Sequence, residues 1–458
     1  MAEKLELSQK PRILVVGGGY AGLYAAKNLE AAAEAHGDIV TVVDPLPYMT
    51  YQPFLPEVAS GSIEARHVVV NHRQHLRKSE LVEGALTAVD HAKKVATVDV
   101  DGESVEIPYK QIIMTAGAIT RTFPIPGLAE AGIGMKAVEE AVAVRDGILD
   151  RIEEASTETD PARRERLLTF VVVGGGFAGI ETISEMEDMA RDAVKKNPRL
   201  SREDLRFVMI EAMGRIMPEV AEDQAEWVVE HLRSRGIEVL LNTSLADATG
   251  GKLQLINMPD KSPAQTFESD TLVWTAGVMA NPVVRQTDFP VEERGRLQVN
   301  AKLQIEGPEG LVKDAWAAGD VAAVPDLTGG GVGGMCVPNA QHAVRQAKLL
   351  AKNVKADLYG EGEIQEYRHE NLGAVAGFGF GKGVARIAVP KYGDVKLRGP
   401  IAWLAHRGYH GMAMPMFERK FRVLGDWIAG GLFGRDTTPL PDLDEPRALF
   451  ERSAKPKK

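Results

Sequence analysis

Two glycine patterns have the spacing that brings a main chain against a pyrophosphate: Gly17, Gly19 and Gly22, then Gly174, Gly176 and Gly179. In such a GxGxxG turn the first glycine permits the tight turn. The second lets the backbone approach the phosphates, and the third lets the next helix pack closely on the preceding strand. An acid follows each pattern, placed to accept a hydrogen bond from an adenosine ribose. Asp44 stands 22 residues past Gly22, near the expected spacing of roughly 20, and Glu211 stands 32 past Gly179. Two bound dinucleotides imply hydride transfer from one to the other, with the cofactors carrying the chemistry and the protein positioning them.

The elements that must hold these turns are legible around them. Residues 13–16 and 170–173 are apolar, β-branched-rich runs of the kind buried on both faces of a parallel sheet. Helix-compatible sequence follows at 21–33 and 178–195, so each turn feeds a helix N-terminus whose free N–H groups favour an anion. Residues 39–43 and 206–210 read as the strands that deliver Asp44 and Glu211, with 195–204 filling the longer gap as extended helix and loop. Residues 13–25 and 170–182 are versions of one motif at an offset of 157, and residues 113–117 and 273–277 are a second pair at an offset of 160. Two motifs repeated in order indicate a duplicated nucleotide-binding domain.

The chain has 458 residues, too many for one hydrophobic core, and its 44% hydrophobic and 26% charged content is that of a folded, soluble protein. A net charge of −10 argues against nucleic-acid binding, but it is segregated. Between Arg368 and Arg435 there are 11 Lys+Arg against 4 Asp+Glu, a local +7 that leaves −17 for the remainder. One cysteine excludes a disulfide framework, a cysteine zinc site, an iron–sulfur cluster and a two-cysteine redox centre, and no metal site is expected. No stretch approaches the roughly 18 apolar residues of a membrane span, and the charged N-terminus has no signal core, so a cytoplasmic protein is expected.

The natural occupants of two such domains are FAD and NADH. Ala317-Ala318-Gly319-Asp320-Val321, a strand ending in Gly-Asp after both domains, resembles the late FAD fingerprint of two-dinucleotide flavoproteins. That resemblance assigns FAD to the first copy and Asp320 to its ribityl chain. Glu211 in the second copy favours the free 2′-hydroxyl of NADH over the 2′-phosphate of NADPH, with Arg215 four residues on able to soften the preference. Residues 45–65 carry no cysteine, which removes disulfide- and sulfide-handling enzymes of this architecture, and Cys336 reads as a small packing group.

From about residue 12 to 436 the chain resembles type II NADH dehydrogenases, single-subunit flavoprotein NADH:quinone oxidoreductases. The resemblance rests on both glycine turns, Tyr51-Gln52-Pro53-Phe54-Leu55 with Val58-Ala59, Val273-Trp274-Thr275-Ala276-Gly277-Val278, the Ala-Gly-Asp-Val segment and Ala340-Gln341-His342-Ala343. It implies an α/β fold of two Rossmann-like domains plus a C-terminal membrane-associating region. The expected parts are a FAD domain at 1–125 and 296–368, an NADH domain at 126–295 and a C-terminal domain at 369–458. It further implies hydride transfer from NADH to FAD and two electrons to a quinone, menaquinone or ubiquinone. The site would include Glu181 as a proton-relaying carboxyl and Gln341 beside the flavin, with Gln52, Gln341, Arg345 and Gln346 around the quinone. A homodimer lying peripherally on the cytoplasmic face of the cell membrane completes the expectation.

There are departures. The family's second glutamine falls at Arg345, with Gln346 about 100° further round a helix, and Pro56-Glu57 replace the family's Tyr-Gln. These leave room for a soluble NADH-dependent flavoprotein reductase of another acceptor, or, remotely, for an NADH-sensing flavoprotein that acts by binding a partner. In the basic C-terminal region, Phe417, Phe421, Leu424, Ile428 and Leu432 recur every three or four residues beside Arg419, Lys420 and Arg422. Periodicity alone is equally compatible with a core-facing helix or a dimer interface; the resemblance selects a helix lying in a membrane interface. Upstream, Ile401, Trp403, Leu404, Met412, Met414 and Met416 extend the apolar patch, and Gly430-Gly431 predict a break or two short helices.

Overall fold

The structure, a computed structural model, describes residues 6–329, 331–369, 373–389, 393–440 and 447–454. The chain divides into two compact units, one of residues 1–50, 69–119 and 278–372 and the other of 51–68, 120–277 and 373–458. Residues 278–295 fold with the first unit, and both 51–68 and the C-terminal region fold with the second. The C-terminal region is not a separate body because its side chains are tied into the second unit's buried charges, described below.

The first unit is organised on a six-stranded sheet in the order Gln304–Gly307, Gly310–Ala317, Gln111–Met114, Arg12–Val16, Ile39–Asp44, Glu80–Glu83. Arg12–Val16 is buried throughout and pairs in parallel with Ile39–Asp44 on one side and Gln111–Met114 on the other. A strand flanked on both edges and covered on both faces has to be a continuous apolar run. The chain leaves it in opposite directions to its two neighbours, so its C-terminal end is the switch point where sheets of this kind bind ligands. The Tyr20–Ala35 helix starts there and packs along Ala340–Tyr359. Small residues allow the close approach: a Cβ on Gly319 would meet Ala21 Cβ at 3.1 Å and Ala343 Cβ at 3.7 Å.

The second unit repeats the plan with five parallel strands in the order Gly132–Ile133, Thr271–Trp274, Thr169–Val173, Arg206–Ile210, Ile237–Leu240. Val171, Val173, Val208, Ile210, Leu272 and Trp274 form its core, together with residues from a three-stranded meander. The Phe177–Val194 helix follows the second glycine turn and is buried along most of its length. It carries four buried acids, Glu181, Glu185, Glu187 and Asp188. Buried carboxylates need partners, and cations distant in sequence supply them. Arg235 donates to Glu187, to Asp188 at 2.6 Å and to the carbonyls of Ser184 and Phe378. Arg435 reaches Glu185 at 2.7 Å and Asp188 at 3.4 Å, and Lys382 reaches Asp188 at 3.3 Å.

The C-terminal region forms an antiparallel sheet of Gly373–Gly377, Gly383–Val389 and Gly393–Arg398, followed by the helices Pro400–Ala413 and Phe417–Phe433. The break expected at Gly430-Gly431 does not occur; Phe417–Phe433 runs unbroken through both glycines. The chain instead turns at Met414-Pro415-Met416, where Met416 has φ +66. Tertiary anchors outweigh the propensity cost: Asp426 pairs with His67 at 2.6 Å and Arg435 is clamped just past the helix end.

Removing Arg235 leaves Glu187 and Asp188 short of a buried partner. Arg235→Ala is expected to cost about 3–5 kcal/mol, read as an earlier urea unfolding transition of the second unit, with Arg235→Lys in between.

Candidate dinucleotide sites and a buried polar cluster

Both glycine turns have the same geometry, and it is one that only glycine satisfies. Gly17 (φ +95) would place a Cβ 2.5 Å from the carbonyl oxygen of Thr115, and a Cβ on Gly22 would overlap the carbonyl oxygen of Gly17. Thr115 closes the turn, its hydroxyl donating to the carbonyls of Val16 and Gly17 at 2.9 Å. In the second unit Gly174 (φ +113), Gly179 and Thr275 repeat each contact. At the middle glycines, Gly19 and Gly176, no atom lies within 4 Å of a built Cβ, so the backbone faces open space. Neither residue caps its helix with a side chain, leaving the N–H groups of the first turn to an incoming anion.

The acids are set by the same turns. Asp44 accepts from Gly18 N–H at 2.6 Å and Leu46 N–H at 2.8 Å; Glu211 accepts from Gly175 N–H at 2.6 Å and Met213 N–H at 2.7 Å. Each carboxylate oxygen so engaged retains a lone pair for a ribose hydroxyl. Burial pushes the Asp44 carboxyl up, while its backbone donors and nearby His72 pull the other way. Burial pushes His72 down, and its Nε2 lies 2.9 Å from the Gly18 carbonyl oxygen. A shallow, open cleft beside Asp44 is lined by Val42, Leu46, Pro47, His72, Leu81 and Val82. These residues fit an adenosine and a pyrophosphate in each unit. Arg215, four residues past Glu211, donates to the Val220 carbonyl at 2.7 Å.

The other expected residues are divided between the units. Asp320 lies in the short turn Gly319–Val321 of the first unit. Gln341, Arg345 and Gln346 lie on Ala340–Tyr359 in the same unit, a helix capped by Asn339, whose side chain accepts from His342 N–H at 2.7 Å. Gln341 is partly exposed, Arg345 contacts the His369 ring at 2.6 Å, and Gln346 is buried with its amide oxygen accepting from Gly319 N–H at 2.8 Å. Gln346 thus supports the Gly-Asp turn from beneath. Burial and nearby Asp326 push the Cys336 thiol up to about 11, which suits a packing role.

Gln52 and Glu181 belong to the second unit. Gln52 donates to the Lys136 carbonyl at 3.2 Å. Glu181 is only 9% exposed, and one of its oxygens accepts from Gly377 N–H at 2.9 Å and lies 3.2 Å from His406 Nε2. Glu57 is buried as well: Arg407 and the Trp427 indole N–H both donate to its Oε2 at 2.8 Å. Burial pushes Glu57 up, with Arg407, His406 and Trp427 opposing. The guanidinium of Arg407 stacks between Trp403 and Trp427 at 4.4 and 4.8 Å. Tyr51 OH lies 3.1 Å from His410 Nδ1. Sequence reasoning did not reach His406, Arg407 or His410, because the acids and the tyrosine they meet are more than 200 residues away.

The apolar stripe of Phe417–Phe433 faces outward. Phe417 is 75% exposed, Leu432 72%, and Phe421, Leu424 and Ile428 lie between 45% and 57%. Ile401, Leu404 and Met412 extend it, whereas Met414 turns into the core. Among the described residues no helix is long and apolar enough to cross a membrane.

Two copies of one dinucleotide cradle in a parallel-sheet setting define a two-dinucleotide α/β oxidoreductase. The pyridine nucleotide-disulphide oxidoreductase family matches residues 11–347, and the chain belongs to that family. With a single cysteine it has no internal redox disulfide. It is 29% identical to a type II NADH:quinone oxidoreductase of Mycobacterium tuberculosis, over 92% of this chain and 88% of that protein. It is 27% identical to the demethylphylloquinone reductase of Synechocystis, over 92% and 98% respectively. In fold it resembles NDH2 from Plasmodium falciparum, solved with NADH, at a TM-score of 0.84 and 20% identity, covering 94% of this chain and 100% of that one.

Gly22→Ala is expected to give protein purified without its yellow flavin absorbance, because the added methyl overlaps the Gly17 carbonyl. Gly179→Ala should retain the flavin and raise the KM for NADH at least about tenfold, the equivalent of 1.4 kcal/mol.

Proposed function

We propose that this chain is an FAD-dependent NADH:quinone oxidoreductase of the membrane surface, active in a respiratory chain. The observation that carries the reading is the pair of like cradles in one chain with no cysteine pair to act as a thiol relay. FAD is held by Gly17, Gly19, Gly22, Asp44 and Asp320, and NADH by Gly174, Gly176, Gly179 and Glu211. When bound, FAD accepts the hydride of NADH and returns two electrons to the acceptor. The residues themselves bind and orient: helix N-termini carry the phosphate charge, and the acids grip the riboses. Glu211, fixed by Gly175 N–H at the strand end, supports NADH over NADPH.

The names of the two relatives support a quinone as the acceptor, and the proposed quinone is menaquinone or ubiquinone. Gln52, Gln341, Arg345 and Gln346 are the residues proposed for it. Glu181 is the carboxyl assigned to proton transfer. The exposed stripe and its basic flank support peripheral attachment at the cytoplasmic face. Burying five large apolar side chains is favourable at roughly 25 cal/mol per Å², and each Lys or Arg near an anionic surface adds about 1 kcal/mol. A homodimer remains part of the proposal.

The purified yellow protein should oxidise NADH with a menaquinone analogue, faster with anionic liposomes present. NADH oxidation indifferent to quinone would sink the quinone reading in favour of a soluble reductase. Replacing Phe417, Phe421 and Leu424 by Ser should abolish flotation with anionic liposomes while preserving reduction of a water-soluble quinone. Unchanged flotation would refute the interfacial helix.

A further inference from the structure

Pro400–Ala413 places two histidines on successive turns, His406 and His410, with ring centroids 4.6 Å apart. At one end of the pair, His406 Nε2 lies 3.2 Å from Glu181 Oε1; at the other, Tyr51 OH lies 3.1 Å from His410 Nδ1. His406 is buried and His410 is partly exposed. We propose that this row, Tyr51–His410–His406, is a proton path that feeds Glu181, with His406 as the positioning residue that keeps that carboxyl supplied. The inference rests on the function proposed above and extends it to residues outside the glycine turns and the quinone assignments.

The stoichiometry creates the need. NADH yields a hydride, two electrons and one proton, whereas reducing a quinone to a quinol takes two electrons and two protons. One further proton must come from water in each turnover. In the proposed step an N–H bond of His406 breaks, an O–H bond of Glu181 forms, and His406 regains a proton through His410.

The surroundings push the pKa values of the two rings in opposite directions. His406 faces Glu181 from Phe177–Val194, Glu57 from Leu55–Val58, and Arg407 and His410 from its own helix. Burial and Arg407 work against its charge, but the two carboxylates outweigh them and its pKa is raised. His410 is pushed well down, by burial first and then by His406. The edge-on contact of the two rings, 4.6 Å between centroids, is the step of the proposed path at which a proton passes between them. A structural ion pair would need His406 and Glu181 but would have no use for a second, neutral histidine held by a tyrosine.

The test uses the full-length yellow protein. With isotope-labelled histidine, the His406 resonance, assigned by its loss in His406→Gln, should titrate above the ordinary value of 6.5 and fall below it in Glu181→Gln. In anaerobic stopped flow, His406→Gln should slow oxidation of the reduced flavin by a water-soluble quinone by at least about tenfold, far more than it slows flavin reduction by NADH. The wild-type quinone step should fall as pH rises through the His406 pKa, His406→Gln should be slow and flat over the same range, and Tyr51→Phe should lie between them. Equal slowing of both steps, a pH profile parallel to wild type, or a His406 that titrates below 6.5 overturns the path. A wild type that reduces no quinone overturns the proposed function instead, and the histidine titration then still decides the charge assignment.

Discussion

Everything in this protein depends on bringing a main chain close enough to a pyrophosphate for its own N–H groups to carry the charge. That requirement removes side chains at three positions of each turn, and the structure shows where the room goes. The space a side chain would need at Gly17 and Gly22 is filled by the Thr115 and Gly17 carbonyls, while Gly19 opens outward. The turn cannot relax into another form without losing the Thr115 hydroxyl bonds or exposing the first strand. The acid at the next strand end is held by the N–H of the residue after the first glycine, so phosphate and ribose recognition are built as one piece. Repeating that piece supplies both ends of a hydride transfer.

The second constraint is electrostatic. The helix after the second turn carries Glu181, Glu185, Glu187 and Asp188 into a buried setting, an arrangement that would be unstable without cations. Arg235, Lys382 and Arg435 supply them, two of these from the C-terminal region. Glu57 recruits Arg407 and Trp427 in the same way. These bonds hold Pro400–Ala413 and Phe417–Phe433 in one orientation, with polar and aromatic groups inward and the stripe from Phe417 to Leu432 outward. The positive charge of the region is thus used twice, partly to neutralise buried acids and partly, at residues such as Arg422, on the exposed side.

Local rules made the two glycine turns, their strands and helices, and both ribose acids legible, since each depends on neighbours within a few tens of residues. The helices begin at Tyr20 and Phe177 and the strands end at Asp44 and Ile210, within a residue or two of the pattern. The unbroken helix through Gly430-Gly431 was not legible, because its anchors at His67 and Glu185 come from distant sequence. The hydrogen bond from Gly319 N–H to the Gln346 amide was not legible either, because it joins a helix to a turn 27 residues earlier.

By itself, the sequence determined the duplicated dinucleotide chemistry, the exclusion of thiol redox chemistry, and the existence of a basic apolar stripe, because composition and short-range periodicity encode all three. Only the tertiary structure decided which way that stripe faces, that Glu57 and Glu181 are buried, and that His406 and His410 stand between Glu181 and Tyr51. Charge pairing across hundreds of residues has no local signature: an acid reads the same on a solvated face as in a buried cluster until the fold brings its partner to it.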